Sequence, residues 1–365
     1  MESPVIEHRI HNFSSGPSIL PQEVLERAAR DLVIHPELGH SVMELSHRTP
    51  FWEAAMERAE ADLRELLGVP DDYAVLFLQG GATLQFAMVP LNLMPEGGVA
   101  DLINTGRWSQ KALAEAKKLG RDLRVAATSE PTGFDRIPTQ LDLAADSAYV
   151  HYVSNNTIHG TEFTAPPDVG DALLVCDASS NILSRPMDVA RHGLIFAGAQ
   201  KNLGPAGLTL VIARRELLDR ATWSLPTMLH YKPLAKAGSM LNTPPVWAIY
   251  ITGLVLDWLK RQGGAEAMER RNAEKAAILY GAIDDAPLFE GCTAPDSRSR
   301  MNVTFRLTRD ELTSAFLAEA ASHDLKYLKG HRSVGGCRAA LYNAMPVESV
   351  QRLADFIRDF SDRHA

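Results

Sequence analysis

The sequence predicts an α/β fold: a large domain with a mostly parallel mixed sheet flanked by helices, then a smaller α+β C-terminal domain. Three observations predict it. Short, continuously apolar runs recur from about residue 73 to 213, as expected of strands buried on both faces. Stretches with apolar residues at helical spacing separate several of these runs. Beyond about residue 245 the texture changes to a long helical stretch and then a strand–helix–strand–helix set. A chain of 365 residues exceeds what one small core organises, so two domains are expected, at 15–260 and 261–365. The N-terminal segment 1–14 is expected to pack near the second, and the join lies between about 255 and 265.

The elements follow in order. Residues 52–67 (WEAAMERAEADLRELL) read as an amphipathic helix, and 73–78 (YAVLFL) as a strand that runs into QGGAT and the apolar LQFAMVPLNLM. VADLIN (99–104) is a strand, and SQKALAEAKKLG a helix ending in glycine. LRVAAT, AYVHYVS, ALLVCD, GLIFAGA and LTLVIA complete the strand series. The last of these lie so close together in sequence that some antiparallel pairing is expected there. Residues 246–283 are helical with a break near Gln262-Gly263-Gly264. MNVTFRL (strand), RDELTSAFLAEAASHD (helix), CRAALYNA (strand) and VESVQRLADFIRDFSDRH (helix) form the second unit.

Composition excludes several classes. The hydrophobic fraction of 45% and charged fraction of 22% are ordinary for a soluble enzyme. A net charge of −8 leaves no basic surplus for non-specific nucleic-acid binding, although local Arg and His clusters can still receive small anions. Cys176, Cys292 and Cys337 are scattered, which fits a reducing compartment and gives neither a disulfide scaffold nor a cysteine-rich metal site. The opening MESPVIEHRIHNFSSGP has no signal-peptide apolar core, and no apolar run approaches the roughly 20 residues of a membrane span, so a cytoplasmic location is expected.

The chemistry centres on two strand ends. Asp177 follows the run LLVC, and Lys201 follows GLIFAGAQ, 24 residues later. Ligands of parallel sheets bind beyond the carboxyl ends of the strands, so both side chains are expected at one crevice. An arbitrary Lys and Asp at strand ends are more often a solvated loop lysine and a helix cap. The apolar, glycine-rich AGAQKNLGPAG argues against a freely solvated amine, and burial lowers an amine's pKa. Together the pair suits pyridoxal phosphate (PLP): the amine forms a Schiff base with the aldehyde, and the carboxylate keeps the pyridine nitrogen protonated. Gly80 to Thr83 (GGAT) place a glycine-rich turn at a helix N-terminus, a phosphate-binding arrangement that many α/β turns share for steric reasons alone. Neither GxGxxG nor the P-loop pattern is present. Trp108 after another strand offers a flat face to a ring, and Thr157 a hydroxyl, though each also suits plain packing or loop closure.

Taken together, NFSSGPSILP, ELSHRTPFW, LQGGATLQFAMVPLNL, YVHYVSNNTIHGTEF, CDASSNILSRPMDV, FAGAQKNLGPAGLTLVI, LNTPPVWAIY and GHRSVGGCRAALYNAMP resemble the phosphoserine aminotransferases, fold-type I, class V PLP enzymes. The segments occur in that family's order and cover nearly the whole chain. The resemblance implies that Lys201 is the Schiff-base lysine and Asp177 the partner of the pyridine nitrogen. It implies cofactor contacts from Ala82, Thr83 and Gln200 to the phosphate, from Trp108 to the ring face and from Thr157 to a ring oxygen. Asn242 and Thr243 in LNTPP would reach the phosphate of the neighbouring subunit in a homodimer with shared active sites. For the substrate it implies His47 with Arg48, and His331, Arg332 and Arg338, basic groups whose guanidinium forks suit a dianion. The chain has Thr83 where some members carry an arginine, which leaves the division of labour among Arg48, Arg332 and Arg338 open.

The implied reaction moves an amino group from L-glutamate to 3-phosphohydroxypyruvate, giving 2-oxoglutarate and O-phospho-L-serine, with 4-phosphohydroxy-L-threonine a further substrate the resemblance allows. The competing readings are another class V enzyme, either an alanine–glyoxylate type aminotransferase or a cysteine desulfurase, and a nucleotide-binding dehydrogenase. A desulfurase needs a mobile nucleophilic cysteine, which neither Cys292 nor Cys337 offers on its sequence setting. A glyoxylate-type enzyme has less use for the paired basic residues. A dehydrogenase would be expected to carry GxGxxG.

Overall fold

A computed structural model describes residues 9–221 and 224–364. Residues 1–8 of the segment expected near the second domain lie outside these. The described residues begin with β1 (His11–Asn12) and α1 (Gln22–Val33), then α2 (Pro50–Leu67). Thr49 starts α2 by accepting the Trp52 N–H at 3.4 Å, Pro50 occupies the first turn, and Gly68 ends it at φ 61°. There follow β2 (Tyr73–Leu78), α3 (Gly81–Leu93), β3 (Val99–Asn104), α4 (Arg107–Lys118), β4 (Asp122–Thr128), β5 (Val150–Val153), β6 (Leu174–Asp177), β7 (Leu194–Gly198) and β8 (Thr209–Arg214). Strand positions match the apolar runs to within two residues at each end. The helix read from Ser109 begins two residues earlier, because Ser109 Oγ accepts the Thr105 and Gly106 N–H groups at 3.1 Å and caps the turn from inside.

Seven strands form one sheet in the order β2-β8-β7-β6-β5-β3-β4. Pairs from β7 to β4 are parallel, whereas β8 is antiparallel to both β7 and β2. The expected late antiparallel pairing is therefore this single reversed strand. Because two reversals cancel, β2 points the same way as β7, and the carboxyl ends of β2, β3, β5, β6 and β7 all open on one edge. Residues of β5, β6 and β7 are buried throughout, which explains their unbroken apolar character.

After α5 (Tyr231–Lys236) and α6 (Val246–Arg261), Gly263 in the left-handed region at φ 92° breaks the helical stretch before α7 (Gly264–Asp285). Then come β9 (Phe289–Gly291), β10 (Asn302–Leu307), α8 (Thr313–Ser322), β11 (Leu325–Lys326), β12 (Cys337–Ala340) and α9 (Val347–His364). A three-stranded antiparallel sheet, β12-β10-β9, packs with α7, α8 and α9 around Phe289, Phe305, Phe316, Phe356 and Phe360. Residues 11–13 join this core: β1 pairs in parallel with β11, and Phe13 is buried within it. α7 spans both cores, with Met268 in the large one and Ala276 onwards in the small one.

Phe316 is fully buried and meets four other phenylalanine rings at centroid distances of 5.2–6.1 Å. Phe316→Ala is expected to cost about 3–5 kcal/mol in urea unfolding. A loss below about 1 kcal/mol would mean the aromatic cluster does not hold this unit together.

Candidate active site

Along the shared strand edge, a cavity of about 110 Å³ is lined by Gly81, Ala82, Thr83, Trp108, Val153, Asn155, Thr157, Asp177, Ser179, Ser180, Gln200 and Lys201. Seven residues singled out from sequence thus meet in one place: Ala82, Thr83, Trp108, Thr157, Asp177, Gln200 and Lys201. Asp177 ends β6 and is buried, its Oδ1 accepting the Ser179 N–H at 3.0 Å. Burial pushes its carboxyl pKa up, while the Ser179 hydrogen bonds and the charge of Lys201 pull the other way.

Lys201 lies just beyond β7 and is 7% exposed. Its Nζ donates to Thr157 Oγ1 at 2.5 Å and stands 5.8 Å from the Trp108 ring centroid. Burial lowers the amine pKa to about 8; Asp177 opposes that shift and Arg338 adds to it. The amine is consequently far easier to deprotonate than a solvated lysine. Its loop is braced from the N-terminal segment, where Ser18 Oγ donates to the Lys201 carbonyl at 2.5 Å and the Ser18 N–H to the Gln200 carbonyl at 3.0 Å.

The remaining walls are set by local chemistry. Gly80, at φ 90°, turns the chain from β2 into α3, and the first N–H groups of α3 have no acceptor within their helix. They lie at the cavity wall with the positive end of the helix dipole, a setting that suits an anion. Beyond β5, Asn156 organises the segment carrying Thr157: its Oδ1 accepts the Ile158 and His159 N–H groups at 3.0 and 3.2 Å, and its Nδ2 donates to the Thr105 carbonyl at 2.7 Å. Gly106 is required beside it, because a Cβ there would sit 2.4 Å from Asn156 Nδ2 at φ 136°. Asn155 Nδ2 donates to Ser180 Oγ at 2.8 Å, joining the exits of β5 and β6.

The basic residues fall into two groups. Arg338, on β12, donates through Nη1 to the Thr157 carbonyl at 3.1 Å, which brings it to the Lys201 side of the cavity. His331 shares a 2.7 Å hydrogen bond with Ser333, and its pKa is lowered by burial and then by Arg338, Arg332, Arg107 and Lys111. Arg107 and Lys111 were not singled out from sequence, although both flank Trp108 in GRWSQK; Lys111 Nζ lies 4.7 Å from that ring. His47 and Arg48 lie on the segment before α2, and Asn242 and Thr243 are exposed ahead of α6; none of the four is on the cavity wall of this chain. Thr243 approaches the strand edge through its carbonyl, which accepts from Gln79 Nε2 at 3.3 Å. Ser18, Asn156, Ser179 and Ser180 were also missed, and the only signal for them was their place within SSGPS, SNNT and DASS next to strand ends.

Such a slot holds a removable proton on an amine, a buried acid and a cradle of N–H donors around one flat space. Residues 10–353 match the family model described as Aminotransferase class-V. The phosphoserine aminotransferase of Nitrosomonas europaea is 52% identical over 367 residues, covering 98% of this chain and 100% of that protein. Among solved structures, the phosphoserine aminotransferase from Bacillus circulans subsp. alkalophilus superposes with a TM-score of 0.95 at 46% identity, covering 98% of this chain and 99% of that one. The PLP-bound enzyme from Trichomonas vaginalis superposes with a TM-score of 0.92 at 40% identity, over 96% of this chain and 100% of that one. With a wall of this composition and relatives of this likeness over its full length, the chain belongs to the phosphoserine aminotransferases of the class-V aminotransferase family.

Proposed function

We propose that the chain carries out reversible PLP-dependent amino transfer between L-glutamate and 3-phosphohydroxypyruvate, giving 2-oxoglutarate and O-phospho-L-serine in serine biosynthesis. One observation carries the reading: a lysine amine with a lowered pKa and a buried carboxylate share a cavity whose rim is a helix N-terminus. The residues present fit the cofactor. Trp108 Nε1 is buried with no hydrogen-bond partner among the described residues, the amine is held by a hydroxyl rather than by a carboxylate, and α3 offers uncommitted N–H groups to a phosphate.

In this reading Lys201 carries PLP through Nζ and Asp177 holds a proton on the pyridine nitrogen. Ala82, Thr83 and Gln200 take the phosphate, Trp108 covers the ring face and Thr157 bonds a ring oxygen. When bound, PLP supplies an aldehyde that accepts the amino group and a ring that accepts the electron pair left at the substrate Cα. Lys201 Nζ, displaced by the substrate amine, takes and returns the Cα proton, a task its lowered pKa suits near neutrality. Arg338 anchors the substrate α-carboxylate, while His331 and Arg332, with His47 and Arg48, receive the second anionic group. Phosphoserine, glutamate and 4-phosphohydroxy-L-threonine all bring such a pair of anions, so the last belongs to the same substrate class.

We further infer a homodimer with shared sites, supported by Asn242 and Thr243, which are exposed and off their own chain's cavity wall. The division into 15–260 and 261–365 is our reading of one core around α8, α9 and β9 to β12, set apart from the clusters on the large sheet and reached by α7. A cytoplasmic setting is supported by three free cysteines, and among the described residues no helix is long and apolar enough to cross a membrane. A desulfurase reading is disfavoured: burial pushes the Cys176 and Cys337 thiols up to about 12 and raises that of Cys292, the opposite of an activated nucleophile.

Addition of phosphoserine to the PLP-loaded protein is expected to bleach the visible cofactor band, and 2-oxoglutarate to restore it, while alanine does neither. A band indifferent to phosphoserine overturns the assignment. Lys201→Ala should leave less than about 10⁻³ of wild-type turnover; a normally coloured, active variant removes Lys201 from its role. The apoprotein tests the amine directly. Capture of PLP requires the neutral amine, so its rate should climb with pH and level off above about 8 instead of rising to the ordinary 10.5. In Thr157→Val the ammonium loses an acceptor, its charged form is less favoured, and the midpoint should move lower still. A midpoint at or above 10.5 in the parent chain would contradict the desolvated setting.

A further inference from the structure

Lys275 of α7 is fully buried and has no part in the chemistry above. Its Nζ donates to the Leu341 and Tyr342 carbonyls, each at 2.8 Å, and among the described residues it has no carboxylate partner. Burial lowers its pKa to about 7, with Arg271 on the same helix adding to the shift. An amine brought inside without a counter-charge is unfavourable, so its hydrogen bonds must serve something an apolar side chain cannot. Those carbonyls belong to the turn that leaves β12, and buried carbonyls left unpaired there would be costly. Both the ammonium and the neutral amine have two N–H groups to give, so the contact persists in either protonation state.

The turn is tied to the site at both ends. Arg338 lies three residues before Leu341 on the same segment. On the other side, the Asn343 N–H donates to Asn202 Oδ1 at 2.9 Å, and Asn202 follows Lys201. Asn272, one helical turn before Lys275, adds a second clamp through Nδ2 to Asn343 Oδ1 at 2.9 Å.

We propose that Lys275 is a positioning residue, whose paired hydrogen bonds set the 341–343 turn against the Lys201 loop and so hold Arg338 at its working separation from Lys201. The proposal rests on the reading of Arg338 as the carboxylate anchor. A substrate held by its carboxylate at one point and attacked at its Cα from another tolerates little error in that separation, and a misplacement near 1 Å costs on the order of 10²-fold.

The test uses PLP-loaded enzyme and two readouts: KM and kcat for glutamate, and the Kd of glutarate, a dicarboxylate that cannot react. Lys275→Met keeps the length and removes the donors; both KM and the glutarate Kd are expected to rise about tenfold with the cofactor band retained. Lys275→Arg restores the donors and should bring both back to within about threefold. With Arg338→Ala already present, Lys275→Met should add less than about twofold, since it acts through that residue. A Lys275→Met enzyme with a lowered Tm but unaltered KM and glutarate Kd overturns the proposal and leaves the anchor intact. An Arg338→Ala enzyme with unaltered glutarate Kd overturns the anchor, and the proposal with it. Should Lys275→Met fail to fold, Lys275→Gln, with a shorter reach, is judged by the same criteria.

Discussion

The structure depends on keeping an amine and a carboxylate out of water in one cavity without letting them neutralise each other. Lys201 and Asp177 each pay a desolvation penalty, visible as a lowered pKa for one and a raised pKa for the other. Thr157 and the Ser179 N–H serve the two groups separately, so neither relies wholly on the other. Direct contact would give a stable ion pair and an amine too tightly protonated to react. Separation in a dry setting leaves the amine easier to deprotonate and the acid uncommitted to it.

That separation is a property of the sheet. Asp177 and Lys201 leave adjacent parallel strands, β6 and β7, so their spacing follows from strand pairing and the length of each exit. The exits are then fixed by short-range polar contacts: Ser18 behind Lys201, Asn155 with Ser180, and Asn156 beneath Thr157. Gly106 admits Asn156 where a side chain would displace it. From β12, Arg338 donates to the Thr157 carbonyl, which brings its charge to the residue whose hydroxyl accepts from the amine.

The parts of this arrangement legible in the sequence are those that short-range pattern records. Apolar runs marked β2 to β8, and their ends marked Asp177 and Lys201, because a strand buried on both faces cannot hide its boundaries. Gly80 and Gly81 announced the start of α3, and the Gln262-Gly263-Gly264 break separated α6 from α7. The strands β1, β9 and β11, two or three residues long, left no periodic trace. α1 went unread although its buried residues, Val24, Ala28 and Asp31, recur at helical spacing. Ser18, Arg107, Asn202 and Lys275 act through partners far away in sequence, and their residue types carry no mark of that. Asn242, Thr243 and the basic pairs came from the family resemblance alone.

The single reversed strand, β8, has a bearing on how the molecule assembles. β7 and β8 form an antiparallel hairpin, closed by the Ala199 N–H to the Leu208 carbonyl at 3.0 Å, and Lys201 sits in its connecting loop. Hairpin closure spans few residues and costs little chain entropy, whereas β5 and β6 are linked to their parallel neighbours by longer crossovers. The loop bearing the amine therefore belongs to the most sequence-local part of the sheet, while the acid, the Thr157 segment and Arg338 reach it across longer connections. The site needs all of these parts at once, so cofactor colour in a refolding experiment would report that the distant strands have joined the hairpin.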